Sequence, residues 1–151
     1  MKISICVIGK TKPQDPENIL IQEYIKRSKW NIETKEFATK KIQKEDNVQK
    51  HQESELLLEN TKNSHLIALD SKGSILSSEE FAKFLSDLQI KSGHISFCIG
   101  GSHGHHKSLL DKSQNIISLG KMTLPHKLAK LILVEQLYRA ECILNNHPYH
   151  K

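Results

Sequence analysis

Residues 94–104 read His-Ile-Ser-Phe-Cys-Ile-Gly-Gly-Ser-His-Gly, and this stretch indicates the class of fold. Its apolar first half, His94–Ile99, predicts a buried strand. The glycines that follow predict a tight turn where backbone can approach a ligand, and a helix over 107–113 completes a strand–turn–helix unit. The turn is not G-x-G-x-x-G, and no acidic residue stands about twenty positions further on. By itself it fits ligand binding and a purely structural turn equally well.

Strand and helix patterns alternate on both sides of this unit. The other predicted strands are Lys2–Ile8, Asn31–Phe37, His65–Leu69 and Asn115–Leu119. Helices are predicted from Asp15 to about Ser28, up to Leu58, from Ser77 onward and from Pro125 to about Asn145. Asp15-Pro16-Glu17 starts the first helix, a Ser77–Glu80 capping box starts the third, and Gly73 is expected to turn the chain. We therefore predict an α/β fold, one domain over residues 1–151, with a mostly parallel sheet covered on both faces.

Composition excludes several classes of protein. The chain is 37% hydrophobic and 26% charged, and its longest apolar runs are too short to cross a bilayer. The N-terminal residues lack signal-peptide architecture, so we expect a cytoplasmic protein without membrane partners. Cys6, Cys98 and Cys142 each lie in an apolar run, which predicts buried, reduced thiols. The net charge of +5 allows a nucleic-acid partner, but no lysine run or basic patch supports an electrostatic RNA-binding arm.

The last predicted helix is apolar over more than one stripe. Leu128, Leu131, Val134 and Ile143 lie on different sides of it. One face can pack on the sheet, while the other would be exposed in a monomer, so we predict a homodimer through this helix. The alternative is a fully buried helix.

Two motifs resemble ligand-binding sequences but lack residues that those sites need. Ile8-Gly9-Lys10-Thr11 imitates the end of a phosphate-binding loop, but Ser4 stands where that loop needs a glycine. His103, His105 and His106 have no carboxylate or thiolate at helical spacing beside them. We expect no metal site, and interpret these histidines as surface residues near a ligand-binding mouth.

The chain ends in Asn-Asn-His-Pro-Tyr-His-Lys, residues 145–151. Ordered, these groups could handle protons and phosphate; the alternative is a disordered tail.

Several blocks together resemble the RlmH family, SPOUT-superfamily methyltransferases that modify N3 of a pseudouridine in 23S rRNA. The matching blocks are Ile5–Lys10, Ile67–Asp70 with Gly73, Ile99–Gly104, Ile117–Ala140 with its core Lys-Met-Thr-Leu-Pro-His, and His147–Lys151. The likeness spans nearly the whole chain and departs only over residues 38–63. Each block alone is weak, but in this order they are highly specific.

The resemblance implies a SPOUT-type α/β fold with a C-terminal deep trefoil knot, S-adenosylmethionine as methyl donor, and a homodimer acting on 23S rRNA within the ribosome. Carried over by position, the cofactor contacts are Leu69, Gly100, Leu119, Gly120, Lys121, Met122, Thr123 and Leu124. Gly120 departs from the serine that is commoner in the family, which removes one hydroxyl contact.

Catalytic roles follow for the second half of the chain. His126, His147 and His150 are candidates for the general base, and Tyr149 could stack on the target base. Arg139 would face phosphate or the uracil carbonyls; the alternative is an ordinary helix-surface charge. We expect the tail to reach the partner subunit's cofactor and complete a composite site.

Three other functions are weighed against this one. An idle RNA-binding module would share the fold but would not bind S-adenosylmethionine. A histidine-based metal hydrolase is disfavoured because the chain has no paired carboxylates. A sister SPOUT enzyme acting on tRNA can be separated only by its substrate.

Overall fold

A computed structural model describes residues 1–151, in which five strands alternate with five helices. The strands are β1 (Lys2–Ile8), β2 (Asn31–Phe37), β3 (His65–Ile75), β4 (His94–Ile99) and β5 (Asn115–Ser118). The helices are α1 (Pro16–Arg27), α2 (Asp46–Glu59), α3 (Ser78–Lys91), α4 (Lys107–Lys112) and α5 (His126–Leu144). The predicted bounds of β1, β2 and β4 are confirmed, and every predicted helix is present.

The strands form one sheet in the order β2-β1-β4-β3-β5, and all neighbouring pairs are parallel. Every residue from Ile3 to Ile8 is buried, as expected for a strand covered on both faces. Successive side chains alternate between two clusters: Ile3, Ile5 and Val7 face α1, α3 and α5. Cys6 and Ile8 face α2 and α4. The predicted α/β architecture, a parallel sheet with helices on both faces, is confirmed.

The N-termini of α1 and α3 differ in whether a side chain caps them. The Ser77 side chain accepts a hydrogen bond from the Glu80 amide (3.1 Å), and the Glu80 carboxylate accepts one from the Ser77 amide (2.7 Å), which confirms the capping box. Asp15 stands at the N-cap of α1, but its carboxylate makes no capping bond. It instead accepts a hydrogen bond from the Lys12 amide and pairs with Lys127 of α5 at 2.8 Å.

The turn predicted at Gly73 is wrong. β3 continues to Ile75, and its ladder with β5 pairs Ile117 first with Leu69 and then with Ser74, so the residues between them bulge. A Cβ on Gly73 would lie 2.6 Å from the carbonyl carbon and 2.7 Å from the nitrogen of Ile117. The glycine is therefore needed for the close approach of two backbones, not for a change of direction. β5 is also one residue shorter than predicted.

The cysteines and the core face of α5 are buried. All three cysteines are buried and unpaired, and burial raises the pKa of the Cys6 thiol to about 11. Leu133, Val134 and Leu137 of α5 are fully buried, but Leu128 remains 40% exposed. The alternative of a fully buried last helix is therefore wrong for the single chain. None of the helices is long and apolar enough to cross a membrane.

Replacing Gly73 by alanine should destabilise the fold, because the new methyl group meets the fixed backbone of β5. We expect a loss of about 1–3 kcal/mol in the free energy of unfolding, measured by urea denaturation. The matched control is Gly93→Ala, since a Cβ there meets nothing within 4 Å. Equal stabilities of the two variants would contradict the close contact between β3 and β5.

Candidate active site

A cavity of about 640 Å³ lies where β4 and β5 end, beside residues 69–71 of β3. The loops after these strands form most of its wall, and the first turn of α5 closes it through His126 and Ala129. Carboxyl ends of parallel strands are the usual place for ligands in α/β proteins. The glycine turn predicted from the sequence forms one wall: the Gly104 amide donates to the Gly101 carbonyl (3.0 Å), and Gly104 adopts a φ of +74°. A Cβ on Gly100 would lie 2.9 Å from Gly104, so the turn is closed too tightly for a side chain there.

Seven of the eight residues expected to contact a cofactor line this cavity. They are Leu69, Gly100, Leu119, Gly120, Met122, Thr123 and Leu124; Lys121 does not line it. Asp70, Ser71, Ser102 and Ser118 also line it and were not expected, whereas Gly101 belongs to the glycine turn that was predicted to approach a ligand. The sequence signal was their position: Asp70 and Ser71 follow the predicted strand His65–Leu69, Ser102 lies in the glycine turn after β4, and Ser118 is the last residue of β5.

The loop that follows β5 is shaped by Gly120. Its φ of +142° is a conformation that other residues rarely adopt, although a Cβ there would meet nothing within 4 Å. The Ser118 hydroxyl accepts from the Gly120 amide (3.2 Å) and donates to the Gly120 carbonyl (2.8 Å). Ser118 therefore holds the turn through the Gly120 backbone.

His126, the first residue of α5, lies in the cavity wall against Gly9. A Cβ on Gly9 would lie 2.5 Å from the His126 Nε2 atom, and Gly9 has a φ of +135°. That Nε2 is buried and has no hydrogen-bond partner in the chain. A buried imidazole nitrogen without a partner is costly, so His126 is an unsatisfied polar residue in the cavity wall.

The other four predicted catalytic residues lie together at the far end of α5. The Tyr149 hydroxyl donates to Glu135 (3.0 Å) and lies 3.2 Å from the Tyr24 hydroxyl, and burial with these two contacts raises its pKa. Arg139 binds Glu135 at 2.6 Å and lies 4.9 Å from the centre of the Tyr149 ring. His150 contacts Glu79 at 2.9 Å and Arg139 at 3.3 Å.

His147 turns the chain out of α5 and remains exposed. Asn146 has a φ of 53°, and the His147 amide donates to the Cys142 carbonyl (2.8 Å), which is a common way to end a helix. The His147 ring accepts a hydrogen bond from the Tyr149 amide (3.2 Å). The tail is thus folded onto its own helix, and the alternative of a disordered tail is wrong.

Within one chain, the predicted site residues lie in two separate groups. His126 and Arg139 are separated by about 20 Å along α5, at about 1.5 Å per residue. The cavity residues with His126 form one group, and Arg139 with the tail forms the other.

The sequence matches, over residues 1–150, the family described as "Predicted SPOUT methyltransferase". The chain belongs to the SPOUT methyltransferase family. It is similar over its full length to proteins named ribosomal RNA large subunit methyltransferase H. That of Campylobacter fetus is 44% identical, that of Acholeplasma laidlawii 41% and that of Clostridium acetobutylicum 34%, and the alignment covers all of this chain and all of each relative. The resemblance seen in the sequence motifs is confirmed.

The three histidines beside the glycine turn of this SPOUT chain have separate surroundings. His105 is buried, contacts the Cys98 carbonyl at 3.1 Å, and burial lowers its pKa. His106 caps α4 by accepting from the Ser108 amide, and His103 faces Asp46 at 3.7 Å. No group of three or more potential ligands is placed to hold a metal ion. The interpretation of all three as surface residues is wrong for His105, whose buried ring supports the end of β4.

A buried ion pair holds the α5 end of the cavity in place. Lys130, only 1% exposed, contacts Glu36 of β2 at 2.5 Å and Thr11 at 3.3 Å. The Thr11 amide also donates to Glu36 (2.8 Å). Sequence reasoning missed this pair, although Lys130 lies on the same stripe of α5 as Leu133, Val134 and Leu137, a spacing that predicts burial.

The stability contributed by Glu36 should depend on pH. Burial by itself raises the pKa of this carboxyl, but hydrogen bonds from Lys130 and Thr11 outweigh it, and the pKa is lowered from its ordinary value of 4.5. Because the folded-state pKa is lowered, the stabilisation is complete above the unfolded value and is lost as the pH falls through the folded value. We expect Glu36→Gln to cost about 3 kcal/mol in the free energy of unfolding near pH 7, because Lys130 is left buried without a counter-charge.

The difference between wild type and Glu36→Gln should shrink as the pH falls below 4.5. Urea denaturation at a series of pH values measures it. The matched control is Glu23→Gln, which removes the exposed pair with Arg27 and should cost less than about 1 kcal/mol at any pH. A constant cost of Glu36→Gln across the series would contradict this role.

Proposed function

We propose that this protein is an S-adenosylmethionine-dependent methyltransferase that methylates N3 of a pseudouridine in 23S rRNA of the assembled ribosome. The observation that carries the proposal is the cavity at the ends of β4 and β5, beside residues 69–71 of β3. Seven of the eight residues that the family resemblance assigns to the cofactor meet in its wall. Full-length relatives named as methyltransferases of large-subunit ribosomal RNA support the substrate class. A substrate in the ribosome would place the protein in the cytoplasm.

The cavity suits S-adenosylmethionine in size and chemistry. Its volume of about 640 Å³ falls in the usual range for small-molecule sites, about 300–1,000 Å³. Leu69, Leu119 and Leu124 offer apolar walls for an adenine ring, and the loops bring backbone donors and acceptors to its edge. Bound there, S-adenosylmethionine supplies a methyl group that its sulfonium charge already activates. The residues of this chain have to orient the reactants, which is worth up to about 7–11 kcal/mol.

The C-terminal part of the proposed fold is a deep trefoil knot within one domain, residues 1–151. Two features support it. β5 lies at the edge of the sheet, yet α5, which follows it, returns to contact β1 and β4 at the centre. The bulge of β3 opposite Ile117 also brings Gly73 against the β5 backbone. In the proposed knot, a loop at this place would enclose the later part of the chain. Knots are rare, so this part of the proposal rests on the family fold.

The proposed active form is a homodimer through α5. The exposed Leu128 and the half-buried Leu131 and Ile132 leave an apolar strip on this helix for a second copy. A second copy would also resolve the separation of the site into two groups. Arg139 and the tail of one protomer would then complete the cavity of the other.

In such a composite site each group has a distinct task. His126 from one chain, or His147 or His150 from its partner, would remove the N3 proton, a contribution of about 10²–10⁴-fold. Tyr149 would stack on the target base. Arg139 would face phosphate or the uracil carbonyls with its guanidinium, whose pKa is raised by Glu135 so that it stays charged.

Mass mapping of rRNA nucleosides from a strain lacking this protein tests the substrate. We expect one 3-methylpseudouridine to disappear from 23S rRNA and to return when the wild-type protein is supplied. Gly120→Val should not restore it, because a β-branched residue is strained at a φ of +142° in the cavity wall. Gly93→Val, at an open position, should restore it. Unchanged rRNA together with a methyl group lost from tRNA would indicate a sister enzyme instead.

Removal of Tyr149–Lys151 tests the composite site. We expect methylation of ribosomes to fall at least about 10²-fold, the lower range of general-base catalysis. Mixed dimers of the truncated chain with Gly120→Val should regain up to half of the wild-type activity, because one cavity in each such dimer is intact and meets an intact tail. Wild-type activity of the truncated protein would contradict a role for the tail, and silent mixed dimers would contradict its action across the interface.

A further inference from the structure

Five lysines that are dispersed in the sequence lie in the two loops after β1 and β2. Lys10 and Lys12 follow β1, and Lys40, Lys41 and Lys44 follow β2; all five are exposed. Because β1 and β2 are parallel neighbours, both loops leave the sheet at the same edge. We call these five residues the lysine patch. The fold thus forms a basic surface, although the sequence contains no run of lysines.

Specific hydrogen bonds join and hold the two loops. The Gly9 amide donates to the Phe37 carbonyl (2.9 Å), and Lys10 Nζ donates to the Glu36 carbonyl (2.9 Å). The buried Gln49 of α2 holds the second loop at both ends: its amide nitrogen donates to Thr39 (3.0 Å), and its oxygen accepts from the Gln43 amide (2.9 Å). The backbone that carries the patch is therefore fixed before any partner binds, which lowers the entropy lost on association.

The lysine patch borders the cavity. Gly9, next to Lys10, lies against His126 of the cavity wall. On the other side, Asp46 at the start of α2 faces His103 of the glycine turn at 3.7 Å. Both loops of the patch thus adjoin residues that surround the proposed methyl-transfer site.

Nearby carboxylates do not neutralise the patch. Glu36 is paired with the buried Lys130, and Asp15 is paired with Lys127. None of the five lysines forms a salt bridge with a carboxylate. Glu45 and Asp46 are the acidic residues that remain beside the patch, and five positive charges outnumber them.

We propose that the lysine patch binds the phosphate backbone of the RNA that flanks the target nucleotide. The inference rests on the proposed function, because the patch adjoins the cavity in which the base would be methylated. A lysine presents a compact charge to a phosphate and releases condensed counterions when it binds. Such contacts position an RNA without reading its sequence, which matches flexible side chains on a rigid loop.

The test compares Lys40→Gln/Lys41→Gln/Lys44→Gln with a matched triple variant, Lys29→Gln/Lys62→Gln/Lys91→Gln. The control lysines are exposed and precede β2, β3 and β4, so they lie at the opposite edge of the sheet, and the change in net charge is equal. Binding to ribosomes purified from a strain lacking the protein is measured by co-sedimentation over a range of KCl concentrations at constant Mg²⁺. Methylation of the same ribosomes and binding of S-adenosylmethionine by calorimetry are measured separately.

We expect the patch variant to bind ribosomes more weakly, with a slope of log Kd against log salt reduced by about 2, at about 0.7 per lost phosphate contact. KM for ribosomes should rise, while kcat and the cofactor affinity stay at wild-type values. Equal slopes for wild type and patch variant would overturn the proposal, as would an equal loss in the control. Weaker binding with an unchanged slope would indicate a protein contact and would also overturn it. Failure of the wild type to methylate ribosomes would count against the proposed function alone, since the binding slopes are measured without methylation.

Discussion

Parallel pairing of five strands is the constraint on which the rest of this structure depends. Because all five strands run in one direction, the loops after them leave the sheet at a single edge. The central strands are buried on both faces, so helices are required on each side, and the apolar residues divide into two clusters. The cavity, the glycine turn and the lysine patch are all consequences of this arrangement. They are assembled from segments far apart in the chain, yet each stands at the carboxyl end of a strand.

The last helix links this edge to the opposite part of the molecule. Its first turn contributes His126 to the cavity, and one turn later Lys130 forms a buried ion pair with Glu36. Removing one partner of such a pair costs more than the pair itself contributes, because the other charge is left buried without a partner. Further along, Arg139 is held between Glu135 and the Tyr149 ring. The rigidity of one helix thus sets the distance between the cavity and the tail, and this distance is the physical reason why we propose a site shared by two copies.

Much of this could be predicted from local patterns. β1 and β4 are apolar runs between polar or glycine residues, and the capping box at Ser77 is a contact within four residues, so their bounds needed no tertiary information. The cofactor contacts were predicted from the ordered motifs of the family, and all of them except Lys121 line the cavity. The misses depend on distant partners. Gly73 was expected to turn the chain, but it faces Ile117, more than forty residues later. His105 was expected at the surface, but it is buried and contacts the Cys98 carbonyl of β4.

The sequence by itself determined the alternation of strands and helices, the burial of the cysteines and the family, because these depend on the hydrophobic period and on motifs read along the chain. Only the tertiary structure decided which groups meet. It placed Lys130 beside Glu36, left the His126 nitrogen without a partner, separated Arg139 and the tail from the cavity, and gathered the dispersed lysines beside it. The reason is that the order of strands in a sheet cannot be predicted from local sequence patterns. The order β2-β1-β4-β3-β5 makes neighbours of segments that are remote in the sequence.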